Sequence, residues 1–199
     1  MKQIFERGTF HNYRITDSQL NKTLNETRIF AEGSRISSYK TTIFLSHKHS
    51  DLNDLKDIIG FLQSNYNVNV YIDSMDKNMP QMTNGETAQR IKNIIKTCDK
   101  FILLATNDAI ESKWCNWELG FGDANKYRDN IALFPIKEKG TYDYTYKGNE
   151  YMLIYPFIAY FDGTEYYENG SSIEEGYYVC YYDGDGKKII TPILEWLNK

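Results

Sequence analysis

An α/β domain with a doubly wound, flavodoxin-like parallel sheet is the fold this sequence predicts, and two observations predict it. Four short apolar runs, Thr42–Leu45, Val68–Ile72, Phe101–Ala105 and Ile131–Pro135, recur roughly every 30 residues. Each gap between them carries a helical pattern, and strand–helix–strand alternation resolves into right-handed crossovers and a parallel sheet.

The first run, Thr-Ile-Phe-Leu, reads as a buried strand. Leu52, Leu55, Ile58, Ile59 and Leu62 then recur at helical spacing, with Ser50 as the expected N-cap. Val68–Ile72 is β-branched and aromatic, as strands prefer. A polar stretch from Asp73 to Thr83 follows and contains Pro80; Thr83-Asn-Gly-Glu86 fits a capping box, and Ile91, Ile94, Ile95 and Cys98 form one helical stripe. Phe101–Ala105 is hydrophobic at every position, so it is expected to be covered on both faces. A tryptophan-rich helix then runs to about Tyr127, ahead of the fourth strand.

The flanks are less regular. Residues 1–40 hold one weakly amphipathic segment through Leu20 and Leu24 and are expected to pack as an extension on the main domain at 41–165. Residues 166–199 are expected to complete the same domain. There, Gly176–Tyr182, the turn Asp183-Gly-Asp-Gly186 and Lys187–Ile190 read as a tyrosine-rich hairpin, and Thr191-Pro192 as the start of a last helix through Trp196.

Composition narrows the function. A net charge of −4 gives no electrostatic reason to expect nucleic-acid binding. No run approaches the ~18 apolar residues of a membrane span, and the first residues lack the apolar core of a signal peptide. Three cysteines without metal spacing point to a reducing cytoplasm.

In a doubly wound sheet, ligands sit beyond the carboxyl ends of the strands. Three segments gather at that edge: Ser46–Asp51, Asp73–Thr83, and Thr106 onward into the tryptophan-rich helix. In the last, Trp114 and Glu118 are four apart and share a helix face. A lone carboxylate suffices to cleave a glycosidic bond whose leaving group is already cationic, such as nicotinamide in NAD, because it has only to stabilise an oxocarbenium-like ribose. The same spacing equally fits ordinary helix packing. His47 and His49 have no third ligand at matched spacing, so a hydrogen-bonding loop is favoured over a metal site. The Asp73–Thr83 stretch fits a lid or partner surface, or a variable surface loop. Cys115 reads as a buried structural thiol.

Together the three segments resemble the TIR (Toll/interleukin-1 receptor) domain, over about Thr41 to Phe161. Phe44-Leu-Ser-His47 with Asp51 is similar to the first-strand box of bacterial TIR proteins, and Tyr71-Ile-Asp73 with the Pro80 loop to the second strand and its long loop. Ser112-x-Trp114-Cys115-x-x-Glu118-Leu119 resembles the pattern around the catalytic glutamate of NAD-consuming members. The resemblance implies the TIR fold, with Ile154–Phe161 as the source of its fifth strand and Thr141–Glu150 as an insertion. It implies Glu118 as catalytic carboxylate, with Ser46, His47, Asp73, Ser112, Lys113 and Trp114 about the substrate and Met79 and Pro80 in the partner-binding loop. NAD would be the substrate and no cofactor or metal is implied. Self-association through TIR–TIR contacts and a downstream effector sensing a nucleotide product are the implied partners, as in stand-alone proteins of Thoeris-like antiphage defence. The implied product is ADP-ribose or a cyclic ADP-ribose signal. The alternative is a non-catalytic TIR adaptor acting through the Asp73–Thr83 loop, which has no chemical reason to keep the Trp114/Glu118 pair.

Overall fold

The computed structural model describes residues 1–31, 40–72, 85–126, 128–141 and 150–199. Five strands form the parallel part of the sheet: β2 (Thr42–Ser46), β3 (Asn69–Tyr71), β4 (Lys100–Ala105), β5 (Ile131–Lys137) and β6 (Phe157–Phe161). They are preceded by a two-residue strand, β1 (Phe5–Glu6), and followed by an antiparallel hairpin of β7 (Gly176–Tyr182) and β8 (Lys188–Pro192). The order β3-β2-β4-β5-β6-β7-β8 reverses direction at β2, so the topological switch lies between β2 and β4. The expected doubly wound α/β architecture is present, and β6 supplies the fifth parallel strand.

Alternate residues of the buried strands face opposite layers. Ile43, Leu45, Ile102, Leu104 and Phe134 pack under α2 (Leu52–Tyr66) through Leu55, Ile58, Ile59 and Leu62. Phe44, Phe101, Leu103, Ile131 and Leu133 pack under α3 (Gly85–Thr97), α4 (Asn107–Glu111) and α5 (Lys113–Lys126). The crossovers leave only α2 on the first layer, which cannot cover β5, β6 and β7 as well. The chain's two ends do so. Phe5 and Phe10 come from the N-terminal segment, while Ile193, Trp196 and Leu197 come from α6 (Ile193–Asn198); Leu20 and Leu24 of α1 (Asp17–Ala31) join the same layer. Phe10 lies 4.7 Å from Phe61 and 5.2 Å from Phe134, ring centre to ring centre, and burying such a side chain contributes roughly 1.5–3 kcal/mol.

β1 is wedged where β5 and β6 part. Phe5 and Glu6 pair in parallel with Ile136 and Lys137, whereas Lys2 exchanges two backbone hydrogen bonds with Tyr160 of β6. The turn at 183–186 closes as Asp183 Oδ1 accepts from the amides of Asp185 and Lys187, with Gly186 at φ +76°.

Two expected caps are different. Ser50 does not cap α2; it lies in a 3-10 turn, His49–Asp51, and its hydroxyl donates to Asp108 Oδ2 at 3.1 Å. Thr191 and Pro192 belong to β8, where Thr191 pairs with Val179, and α6 begins at Ile193. Ladder pairing with β7 outweighs the local capping preference there. No helix among the described residues is long and apolar enough to cross a membrane.

Candidate active site

The site is built at the switch between β2 and β4. β2 delivers Ser46 at its carboxyl end, buried and facing α5. There its hydroxyl donates to Glu118 Oε2 at 2.5 Å, within a fully buried pair 72 residues apart in sequence. A bond from a hydroxyl to a carboxylate is charge-assisted and fixes the carboxylate's direction as well as its place.

α5 is held at the angle this requires by a break in the backbone. Ser112 is extended (φ −72°, ψ 117°), ends α4 and starts α5, and its hydroxyl accepts from the amide of Cys115 at 3.3 Å. Asn116 Nδ2 ties the new helix back to the carbonyl of Ile110 at 2.9 Å. On the inner face, the Cys115 thiol donates to the carbonyl of His47 at 3.3 Å, which fastens α5 to the loop after β2. His47 is itself buried, with Nδ1 3.3 Å from the Leu45 carbonyl. Its ring therefore sits against backbone, as a local hydrogen-bonding loop requires.

A second link joins the same two strand ends. Thr106, just past β4, caps α4 by accepting from the amide of Ala109 at 3.1 Å, and donates to Asp51 Oδ2 at 2.5 Å. Burial raises the Asp51 carboxyl above its ordinary pKa; the Thr106 bond and then Arg7 pull it back, Asp108 adds to the rise, and His47 opposes it. Arg7 Nη2 donates to Asp51 Oδ1 at 3.0 Å.

Of the residues expected at the site, Ser46 of β2 and Glu118 of α5 meet directly, and His47 and Ser112, just outside those elements, both bond Cys115. Lys113 is on the exposed side of the first turn of α5. Asp73, Met79 and Pro80 lie outside the described residues. Trp114 and Glu118 share α5 but differ in surroundings: Glu118 is buried, while Trp114 is half-buried and stacked on Trp117 at 4.7 Å and 26°. Trp117 stacks in turn on Phe121 at 6.1 Å, and the Lys92 ammonium lies 5.7 Å and 5.5 Å from those two ring centres. Neither Arg7 nor Thr106 is marked as a site residue by the sequence, although Thr106 opens the third segment at the sheet edge. Thr106-Asn-Asp108 did carry a helix-start signal, but nothing near Arg7 announces a partner 44 residues away.

Comparison with known proteins gives two findings. Residues 43–169 match the family model described as the TIR domain. The chain is 29% identical, over 150 residues and 74% of each sequence, to the probable 3' cyclic ADP-D-ribose synthase ThsB' of Bacillus cereus (strain MSX-D12).

Proposed function

Because the chain belongs to the TIR domain family, we propose that it cleaves the nicotinamide–ribose bond of NAD with Glu118 as the catalytic carboxylate. The observation that carries this reading is the buried Ser46–Glu118 pair at the carboxyl edge of the sheet, where doubly wound domains bind nucleotides.

The chemistry asks little of the protein. As the bond between ribose C1′ and the pyridinium nitrogen breaks, both electrons leave with nicotinamide, which departs neutral and needs no proton. Positive charge develops on C1′ and the ring oxygen, and a carboxylate held beside the ribose stabilises it. Ser46 fixes one oxygen of Glu118, leaving the group oriented before the charge appears. Trp114, four residues before Glu118 on α5 and half-buried, is the aromatic side chain we assign to the substrate, with Ser112 and His47 assigned to the same cleft. Attack by water at C1′ gives ADP-ribose and a proton; attack by a hydroxyl of the ADP-ribose moiety gives a cyclic product and a proton. The cyclic ADP-ribose synthase activity for which the Bacillus cereus relative is named favours the cyclic product, and a role in antiphage defence, signalling to a separate effector, follows from that reading.

Glu118 is fully buried, so substrate meets it only after the site opens. Self-association of TIR domains is the step to which we assign that opening. The test is to incubate concentrated protein with NAD and identify products by mass. Release of nicotinamide with a cyclic ADP-ribose, lost in Glu118→Gln at an unchanged melting temperature, is the expected result. Equal product from Glu118→Gln would overturn it, and biological activity surviving that change would favour the adaptor alternative.

A further inference from the structure

The acidic start of α2 presents Asp51, Asp54 and Asp57, all buried, on the first layer of the fold. Their counter-ions come from the N-terminal segment, outside the stretch matched to the family. Arg14 makes a double hydrogen bond to Asp57, through Nε at 2.6 Å and Nη2 at 3.1 Å. Arg7 spans three carboxylates: Nη2 donates to Asp51, Nε lies 2.8 Å from Asp54 Oδ2 in an ion pair, and Nη1 lies 2.8 Å from Glu138 beyond the end of β5. The backbone at Arg7 is itself fixed, its amide donating to the Lys137 carbonyl at 2.8 Å.

Asp51 is where this clasp meets the active site. One of its oxygens takes Arg7 and the other takes Thr106, so one carboxylate joins the N-terminal segment, the loop after β2 and the cap of α4. From α4 the chain continues through Ser112 into α5 and Glu118, and the Cys115–His47 bond returns it to the β2 loop. The result is a closed ring of contacts around the Ser46–Glu118 pair, with Arg7 as its outer fastener. We propose that Arg7 is a positioning residue for the catalytic pair: it holds the Asp51 carboxyl in place, and through Thr106 sets the spacing between the β2 loop and α5.

A buried carboxylate stripped of its cation takes up a proton or turns outward, and either breaks its acceptor geometry. Asp108 faces Asp51 from α4 and Asp54 from α2, and both drive it that way once Arg7 is gone; His47 is the cation-forming group on the other side.

The assignment rests on the NAD-cleaving reading for its kinetic arm only. The experiment compares wild type, Arg7→Ala, Arg7→Lys, Thr106→Val and the Arg7→Ala/Thr106→Val double variant. Two measurements are made on each: steady-state cleavage of NAD, and amide hydrogen exchange without ligand. Arg7→Ala is expected to lower kcat about tenfold or more with KM changed less than about threefold, and Arg7→Lys to recover part of it, since an ammonium keeps the charge but not the three-way fork. The double variant is expected to match the worse single variant, because both changes act through Asp51. In exchange, the amides of 48–54 and 107–111 are expected to open about tenfold faster in Arg7→Ala, with β4 and β5 unaffected. Multiplicative kinetic losses, or unchanged exchange in those two segments, would overturn the assignment. If wild type leaves NAD intact, the proposed function fails and exchange alone decides for Arg7. Should Arg7→Ala not fold, Thr106→Val and Arg7→Lys carry the same comparison.

Discussion

Ser46 and Glu118 meet at 2.5 Å across the seam between the first long strand of the sheet and the helix that follows its neighbour. The contact is intolerant of small shifts, because a hydroxyl–carboxylate bond loses strength steeply as it lengthens or bends. Hydrogen bonds to charged groups are worth about 1.5–3 kcal/mol, equivalent to roughly ten- to hundredfold in rate where the bond orients a catalytic group. Ser46→Ala is therefore expected to slow release of nicotinamide from NAD by about that factor while the protein stays folded. Initial rates at saturating NAD with a thermal melt check this, and wild-type turnover would show that Glu118 needs no fixing.

Asp54 gives a pH dependence of stability. Burial lifts its carboxyl to about 6; Arg7 works against the rise, and Asp51, Asp57 and Glu138 add to it. An unfolded chain releases that proton near 3.8, so between about pH 4 and 6 the folded state binds more protons and stability falls as pH rises. Above pH 6 the full cost is present, at most about 3 kcal/mol. Asp54→Asn is expected to stabilise the protein at pH 8 and to match wild type near pH 4. Urea unfolding at both values decides it; an equal gain at both would point to packing instead of charge.

Gly60 sits on α2 directly beneath the His11–Tyr13 turn. A Cβ at this position would collide with the Tyr13 carbonyl oxygen and come within 3.1 Å of Ile15 Cγ2. Helix propensity alone favours alanine over glycine by about 1 kcal/mol. The obstruction is backbone, so Gly60→Ala is expected to reverse that sign and destabilise by about 2–4 kcal/mol. A raised melting temperature would mean that the turn moves aside freely.

The thiols are expected to be silent. Burial pushes Cys98 and Cys180 up to about 12, and Cys115 is buried with its S–H donated to the His47 carbonyl. Cys98 and Cys180 therefore carry almost no thiolate near neutrality. Folded protein at pH 8 is expected to react with an aromatic disulfide reagent only as fast as it unfolds, and denatured protein to titrate three groups. A fast phase from the folded protein would locate an opening in one of these layers.

The central strands were legible in the sequence because each is buried on both sides, leaving no polar position to blur Ile43–Leu45, Phe101–Ala105 or Ile131–Phe134. The turn at Asp183–Gly186 was legible for the opposite reason, as its residues have few other uses. What could not be read are features whose cause lies far along the chain. β1 is two residues long and has no period; it exists because β5 and β6 separate. The break at Ser112 looks like continuous helix in sequence, and only the Cys115 and Asn116 bonds mark it. That Ser46–Asp51 and the segment from Thr106 share one sheet edge followed from strand order, whereas the direct Ser46–Glu118 bond and the Arg7 clasp join groups whose partners are set by three dimensions alone.

The wedge of β1 between β5 and β6 also fixes an order of events during synthesis. Phe5 and Glu6 are made ahead of every parallel strand, yet their partners Ile136 and Lys137, and Tyr160 for Lys2, lie in the last two of those strands. Until β5 is made, Phe5 and Phe10 lack Phe134, and of the layer they enter Phe10 has only Phe61 of α2. The earlier segment is thus seated by strands made after it, and the fastening at Arg7 is complete only once β5 and Glu138 have been made.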